Sequence, residues 1–375
     1  MAFSNDVLGY DEQAVMSLRA LYRQYGYSQY EMSRFEEYGL YSDNKLFLPS
    51  GEIITFTGAG GKLMALRPDV TLSIVKNTKD SDGLKKLYYN ENIYRSDGYE
   101  FKEQMQAGLE CIGELDVYSI GEVIMLAGRS LEILSRLYAD GAGPGGAASC
   151  IDVSHMGFIS GLLQNEGLAP AQKTGLLKCI SEKNAPDISS LCSQYGLGND
   201  FRERLVALSA LYGPYKEILA ELRWLSVNEE TDSALREIGM LQSILHELGA
   251  DSGVNLDFTI VNEISYYNGI IFQGFIEGIP TKVLSGGRYD TLLRKFGKRS
   301  GAVGFAINLD LLESLHPPRG GTEVDVLIIY GEKTDPDSVA RTAAGLTSSG
   351  QSVRVQRGGP GDVKYKKLIE MQRDE

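Results

Sequence analysis

Cationic residues are in short supply. The chain has 37 lysines and arginines against 50 aspartates and glutamates, a net charge of −13. Nucleic acids are held by clustered Lys and Arg that displace phosphate counterions, so no nucleic-acid partner is expected. Cysteine and histidine are scarce too. Cys111, Cys150, Cys179 and Cys192 form no Cys-x-x-Cys pair, and only three histidines could assist them. That argues against a metal site and for reduced thiols. No uncharged apolar run is long enough to span a bilayer, and the acidic opening MAFSNDVLGYDEQ has no signal-peptide core. No membrane partner is expected, and the predicted location is cytoplasmic. What remains is an ordinary globular composition. Hydrophobic residues make up 43% of 375 positions, enough for two or three domains with a real core.

Residues 11–25 place Val15, Leu18, Leu21 and Tyr22 at helical spacing, with Gly26 as a stop. Between about 45 and 155, short strand-like runs alternate with Gly, Asp and Asn. LYYNENIYR and EQMQAGLECIG are the clearest strands, joined by the loop SDGYEFK, and EVIMLAGRSLEILSRLY is an amphipathic helix. Residues 156–250 are mostly helical in pattern. Strand character returns at LDFTIVNEISYYNGIIFQGF and TKVLSGGRYD, and AVGFAINLDLLESL reads as a strand or turn entering a helix. HPPRGGTE is a linker. A strand, helix and strand then form a small terminal unit.

Few stretches carry chemistry by themselves. GAGGKLMAL lacks the Gly-Lys-Ser/Thr ending of a phosphate loop and reads as a turn between strands. EQMQAGLECIG alternates, with Gln104, Gln106, Gly108 and Glu110 on one face and Met105, Ala107, Leu109 and Cys111 on the other. The polar face meets water or floors a polar pocket, and half-wet antiparallel sheets favour water. Gly108 would let a ligand approach the backbone. LRPDVT reads as a surface turn around Pro68, although Asp69 is suited to an ammonium group. SGGRYD reads as a glycine-rich turn with an Arg288–Asp290 ion pair. IVNEISYYNGIIFQG suits a strand and turn lining a small-molecule pocket, and it holds no cation.

In order, the stretches GYDEQAV, YGYSQYEMSRFEEY, LRPDVT, YRSDGYEFKEQMQAGLECIG, SYYNGIIFQG and SGGRYD…AVGFAINLDLL resemble the histidyl-tRNA synthetase catalytic domain, over about residues 8–155 and 255–315. The resemblance implies an α+β fold of the class II aminoacyl-tRNA synthetase type: an antiparallel sheet flanked by helices, dimeric, with a helical insertion and a short C-terminal α/β unit. The implied boundaries are 1–155 and 255–318 for the core, 156–254 for the insertion and 322–375 for the reduced terminal unit. Asp69, Thr71 and Gln106 match groups that hold the histidine α-ammonium. Glu110, Tyr266 and Tyr267 match groups around its imidazole.

The departures from that family fall on the cations. Activating histidine on ATP builds charge on phosphate oxygens, which fixed arginines must stabilise. Asn262 stands where the family has an arginine before its pocket strand, and Leu311 stands at the arginine of its last motif. Arg95, matching the second-motif arginine, survives and completes the candidate histidine-binding set. Ser33 replaces a proline of the first motif. The loop after Arg95 is shorter, with Asp97, Glu100 and Glu103 against Lys102. Retained amino-acid groups without the ATP arginines resemble the ATP phosphoribosyltransferase regulatory subunit family. That resemblance implies a non-catalytic protein in histidine biosynthesis with no cofactor and no catalytic residue. It implies a homodimer in a hetero-oligomer with the short-form ATP phosphoribosyltransferase catalytic subunit, which it activates and makes sensitive to histidine. A divergent histidyl-tRNA synthetase and a stand-alone histidine sensor are the alternatives.

Overall fold

The computed structural model describes residues 8–45, 48, 53–80, 83–96, 98–138, 147–164, 166–261, 267–315 and 322–371. The chain divides into two compact units, Met1–Leu315 and His316–Glu375.

The first unit opens with α1 (Tyr10–Gln24), which buries Ala14, Leu18, Leu21 and Tyr22. Ala14 takes the place expected of Val15, which is only partly buried. Gly26 follows at φ 80°, a conformation that suits glycine at a helix end. β1 (Ser28–Gln29), β2 (Phe35–Glu37), α2 (Tyr38–Ser42), β3 (Thr55–Thr57) and β4 (Leu63–Leu66) come next. GAGG is the turn between β3 and β4 that the sequence indicates, with Gly60 and Gly61 at positive φ. α3 (Thr71–Asn77) leads into the hairpin of β5 (Lys85–Ser96) and β6 (Phe101–Gly113), and α4 (Val117–Tyr138) crosses back over it. The helix begins before the expected Glu122, because Asp116 accepts from Ser119 N–H at 2.8 Å and closes its first turn.

β7 (Ser149–His155) is followed by α5 (Met156–Gln164), α6 (Pro170–Ser181), α7 (Ala185–Gln194) and α8 (Asn199–Ala210). The short β8 (Tyr212–Pro214), α9 (Tyr215–Leu225) and α10 (Glu229–Glu247) complete this stretch. β9 (Val254–Asp257), β10 (Ile270–Ile276), β11 (Leu284–Arg288), α11 (Asp290–Lys295) and β12 (Gly301–Asn308) return to the sheet. The long strand expected over LDFTIVNEISYYNGIIFQGF is thus two strands. Asp257 accepts from Thr259 N–H at 2.8 Å and turns the chain out of β9. SGGRYD is not a turn, since its first four residues lie in β11.

The nine-stranded sheet runs β1-β5-β6-β12-β11-β10-β7-β9-β8. Its centre is antiparallel, with parallel pairs β1–β5 and β7–β9 toward the two ends. A separate three-stranded sheet is β2-β4-β3. Strand alternation sorts the side chains into two cores. Tyr88, Leu109, Cys111, Val303, Phe305 and Phe272 meet α1 and α4 on one face. Tyr89, Ile93, Ile112 and Ala302 meet α3 and α11 on the other.

In the second unit, β13 (Val324–Tyr330), α12 (Pro336–Ser348), β14 (Val353–Arg357) and β15 (Tyr365–Met371) form a parallel sheet in the order β14-β13-β15. β15 is not apparent in the sequence. It is an edge strand whose exposed Lys366, Lys367 and Glu370 mask the apolar alternation. Most of the linker, residues 316–321, lies outside the described residues.

The central strands touch through glycine. A Cβ on Gly286 would lie 2.5 Å from both Gly304 O and the Phe272 ring. Gly286→Ala is expected to destabilise the protein by about 1–3 kcal/mol through overpacking. A lowered urea midpoint in circular dichroism checks this, and an unchanged midpoint would contradict it.

Candidate functional site

Two rows of side chains run across the α3 face of the sheet. One contains Leu87, Glu110, Gly304, Gly287, Ile271 and Ser154, each opposite the next on the neighbouring strand. The other contains Tyr89, Gly108, Ala306, Ser285, Gln273 and Asp152. Where the rows cross β6, β12 and β11, four positions carry no bulk beyond a methyl group. They leave a polar floor with one large acidic side chain on it.

That side chain is Glu110, only 2% exposed. The expectation that its face meets water is therefore overturned, because α3 and α11 cover the sheet here. Glu110 Oε1 accepts from Thr71 Oγ1 at 2.8 Å, and Oε2 accepts from the Tyr289 hydroxyl. The carboxyl lies where a Gly304 side chain would be, so any larger residue there would overlap it. Likewise the Tyr89 ring covers Gly108 and the Tyr267 ring lies against Gly287. Burial pushes the Glu110 carboxyl up to about 8, with the Asp69 charge adding to the rise and the Tyr289 and Thr71 hydroxyls opposing it.

Asp69 is the second carboxyl. Its Oδ1 accepts from Leu72 N–H at 2.8 Å at the start of α3. Burial raises its pKa, while the Leu72 amide and the Arg95 charge pull it down. LRPDVT is not the surface turn expected from Pro68, because Arg67 is entirely buried and binds three backbone or side-chain groups around it. Its guanidinium donates to Asn92 O at 2.7 Å, Ser33 O at 2.9 Å and Glu91 Oε2 at 2.8 Å. Arg95 is half-buried, donates to Pro68 O at 3.2 Å and is lowered by desolvation against the Asp69 charge. Gln106 is half-buried between Glu91 and Asn308 on the same face as Glu110. Burial, then Glu110 and Asp69, raise the Tyr267 hydroxyl. Tyr266 and Asn262 lie outside the described residues.

The fold thus gathers Asp69, Thr71, Glu110 and Tyr267, with Arg95 and Gln106 toward the turn end of the hairpin. Sequence reasoning missed Tyr289, although it lies inside SGGRYD, because attention went to the charged Arg288 and Asp290. Those two do form the expected ion pair, at 2.9 Å. Asp290 further accepts from Ala302 N–H at 3.0 Å and Asn268 Nδ2 at 3.1 Å, which anchors the end of β11 beneath Tyr289. Chemically, two carboxyls and several hydroxyls in a sheltered site favour a ligand rich in N–H donors.

The raised Glu110 has a measurable consequence. Between its usual range near 4.5 and about 8, the folded state holds a proton that the unfolded chain has lost. Its contribution to stability therefore falls as pH rises through that window and is constant beyond it. Glu110→Gln is expected to flatten the decline of the urea midpoint between about pH 5 and pH 8. Parallel profiles for the two proteins would contradict this.

A profile of the histidyl-tRNA synthetase family matches residues 8–312. The ATP phosphoribosyltransferase regulatory subunit of Caldanaerobacter subterraneus subsp. tengcongensis is 31% identical over 299 residues, 78% of this chain and 75% of that protein. A Bacillus halodurans structure described as an ATP phosphoribosyltransferase regulatory subunit/histidyl-tRNA synthetase aligns over 96% of this chain and 93% of its own, with TM-score 0.77 and 25% identity. A chain of the ATP phosphoribosyl transferase complex from Thermotoga maritima shares the fold, with TM-score 0.62 at 20% identity over 79% of this chain and 96% of its own. The sheet and these matches agree: the chain belongs to the histidyl-tRNA synthetase-like family, among the ATP phosphoribosyltransferase regulatory subunits.

Proposed function

We propose that this chain is a non-catalytic subunit that activates a short-form ATP phosphoribosyltransferase catalytic subunit and relays feedback inhibition by histidine. In this reading it acts as a homodimer within a hetero-oligomer. Residues 1–155 with 255–318 are the synthetase-like core, 156–254 an insertion and 322–375 a reduced terminal unit.

The observation that carries the ligand is the Glu110 carboxyl, sheltered over Gly304 and bound by Thr71 and Tyr289. A histidine fits its chemistry at both ends. The imidazole meets Glu110, Tyr267 and Tyr266, while Asp69, Thr71 and Gln106 receive the α-ammonium. Arg95, near Asp69, suits the α-carboxylate. Regulation then follows from unequal histidine affinity for the active and inactive assemblies. Phosphoryl transfer has less support, since Leu311 stands at the last-motif arginine and Arg67 is occupied by Ser33, Glu91 and Asn92.

The test is phosphoribosyl-ATP formation by the short catalytic subunit from the same source. It is assayed alone, with this chain, and with this chain plus histidine. Stimulation that histidine reverses is expected. No stimulation by a well-folded chain would overturn the reading, as would histidine-dependent ATP–pyrophosphate exchange by the chain alone. In calorimetry, Gln106→Ala and Glu110→Ala are each expected to weaken histidine binding about tenfold or more, since each leaves a buried ligand donor unpaired. Unchanged affinity would remove histidine from this site.

A further inference from the structure

The β5–β6 hairpin ends in a run of exposed residues, 98–103. Tyr99 is 98% exposed and Phe101 79%, more than any other large hydrophobic side chain among the described residues. They are held out on a braced support. Ser96 Oγ accepts from Gly98 N–H at 3.1 Å, and Phe101 pairs with Ser96 in the ladder. Asn92 Nδ2 and the Tyr94 hydroxyl both donate to Glu103, at 2.5 and 3.1 Å, which ties the two strands together behind the tip. Two aromatics fixed in water on a stiff hairpin have the chemistry of interface anchors.

The charge around them decides what they fit. Glu100 and Glu103 flank Phe101, and Glu103 shares its face of the ladder, while Lys102 and Arg95 opposite it lie on the other face. Nucleic acid is excluded, because aromatic stacking platforms for single strands sit in cationic grooves. An anionic lipid surface is repelled for the same reason. A second copy meeting tip to tip is disfavoured too, since a twofold would set Glu100 against Glu100. A protein pocket with an apolar floor and a basic rim remains.

We propose that Tyr99 and Phe101, flanked by Glu100 and Glu103, dock into an apolar pocket rimmed by Lys and Arg on the transferase catalytic subunit. This rests on the regulatory reading above. The acidic flanks steer the encounter and the aromatics hold the complex.

The experiment compares the full chain with its Tyr99→Ser/Phe101→Ser and Glu100→Lys variants. Sedimentation velocity measures binding to the catalytic subunit at low and high salt, and the phosphoribosyl-ATP assay runs alongside. The double variant is expected to bind about tenfold or more weakly and to lose stimulation, with an unchanged thermal melt and unchanged histidine binding. Glu100→Lys is expected to slow association and flatten its salt dependence. Wild-type binding and stimulation by the double variant would overturn the docking proposal and leave the regulatory reading standing. A loss of self-association with the hetero-complex intact would also overturn it, assigning the tip to a second copy. If the wild-type chain neither binds nor stimulates the catalytic subunit, the regulatory reading falls first.

Discussion

A carboxyl shut away from water must find donors and space, and at Glu110 the sheet supplies both at one level. The space comes from a missing side chain: Gly304, directly opposite on β12, leaves the volume that the carboxyl fills. The donors come from elements far apart in sequence, Thr71 at the start of α3 and Tyr289 between β11 and α11. Each contact fixes the next. Tyr289 is held toward Glu110 by its own N–H, which donates to Ala302 O on β12, and by Asp290, which accepts from Ala302 N–H. β11 lies close enough only because Gly286 and Gly287 let Phe272 and Tyr267 approach. Gly304 is therefore a packing requirement of the buried acid, and Gly286 and Gly287 are requirements of the rings packed against them.

The same acid sets the character of the site. Its nearest charged neighbour is another carboxyl, Asp69, which drives Glu110 further toward the protonated form. The arginines nearby are engaged with structure: Arg67 with Ser33, Glu91 and Asn92, and Arg288 with Asp290. Two sheltered carboxyls with Arg67 and Arg288 engaged suit positive charge or N–H donors, and Arg95 is the cation placed beside Asp69.

How much of this was legible in the sequence depended on whether the signal was local. α1, α4 and the β5–β6 hairpin carry full periods of apolar residues over many positions, and each was readable with boundaries shifted by a few residues. β8 and β15 were not, because one is three residues long and the other shows charge to solvent. TKVLSGGRYD carries the strand character of β11, but SGGRYD within it reads as a turn because two glycines and an Arg-Tyr-Asp run mimic turn chemistry, and the neighbouring Phe272 and Tyr267 rings explain those glycines. At the site, the alternation of EQMQAGLECIG correctly put Gln106 and Glu110 on one face. Whether that face was wet could not be read, since its cover comes from α3 and α11. Arg67 and Tyr289 were missed for a related reason: their partners lie 24 to 34 and 179 residues away in sequence.

The loop from Leu66 to Thr71 joins the two halves of the proposed regulatory surface. At one end Thr71 holds Glu110, and Asp69 closes the first turn of α3. At the other, Arg67 donates to Asn92 O and Glu91 on β5, and Arg95 of the same strand donates back to Pro68 O. The loop is thus tied both to the acid and to the hairpin whose tip bears Tyr99 and Phe101. Along β6, Phe101 and Gln106 are separated by about 17 Å at strand spacing, and a laddered pair of strands moves as one body over that length. A ligand that pulls Thr71 or Asp69 away from present partners must therefore either strain Arg67, which is buried and fully engaged, or tilt the hairpin with the loop. Tilting keeps Arg67 paired, and stranding a buried guanidinium costs several kcal/mol. In the proposed regulatory reading the cheaper response moves the tip, the surface proposed to meet the catalytic subunit.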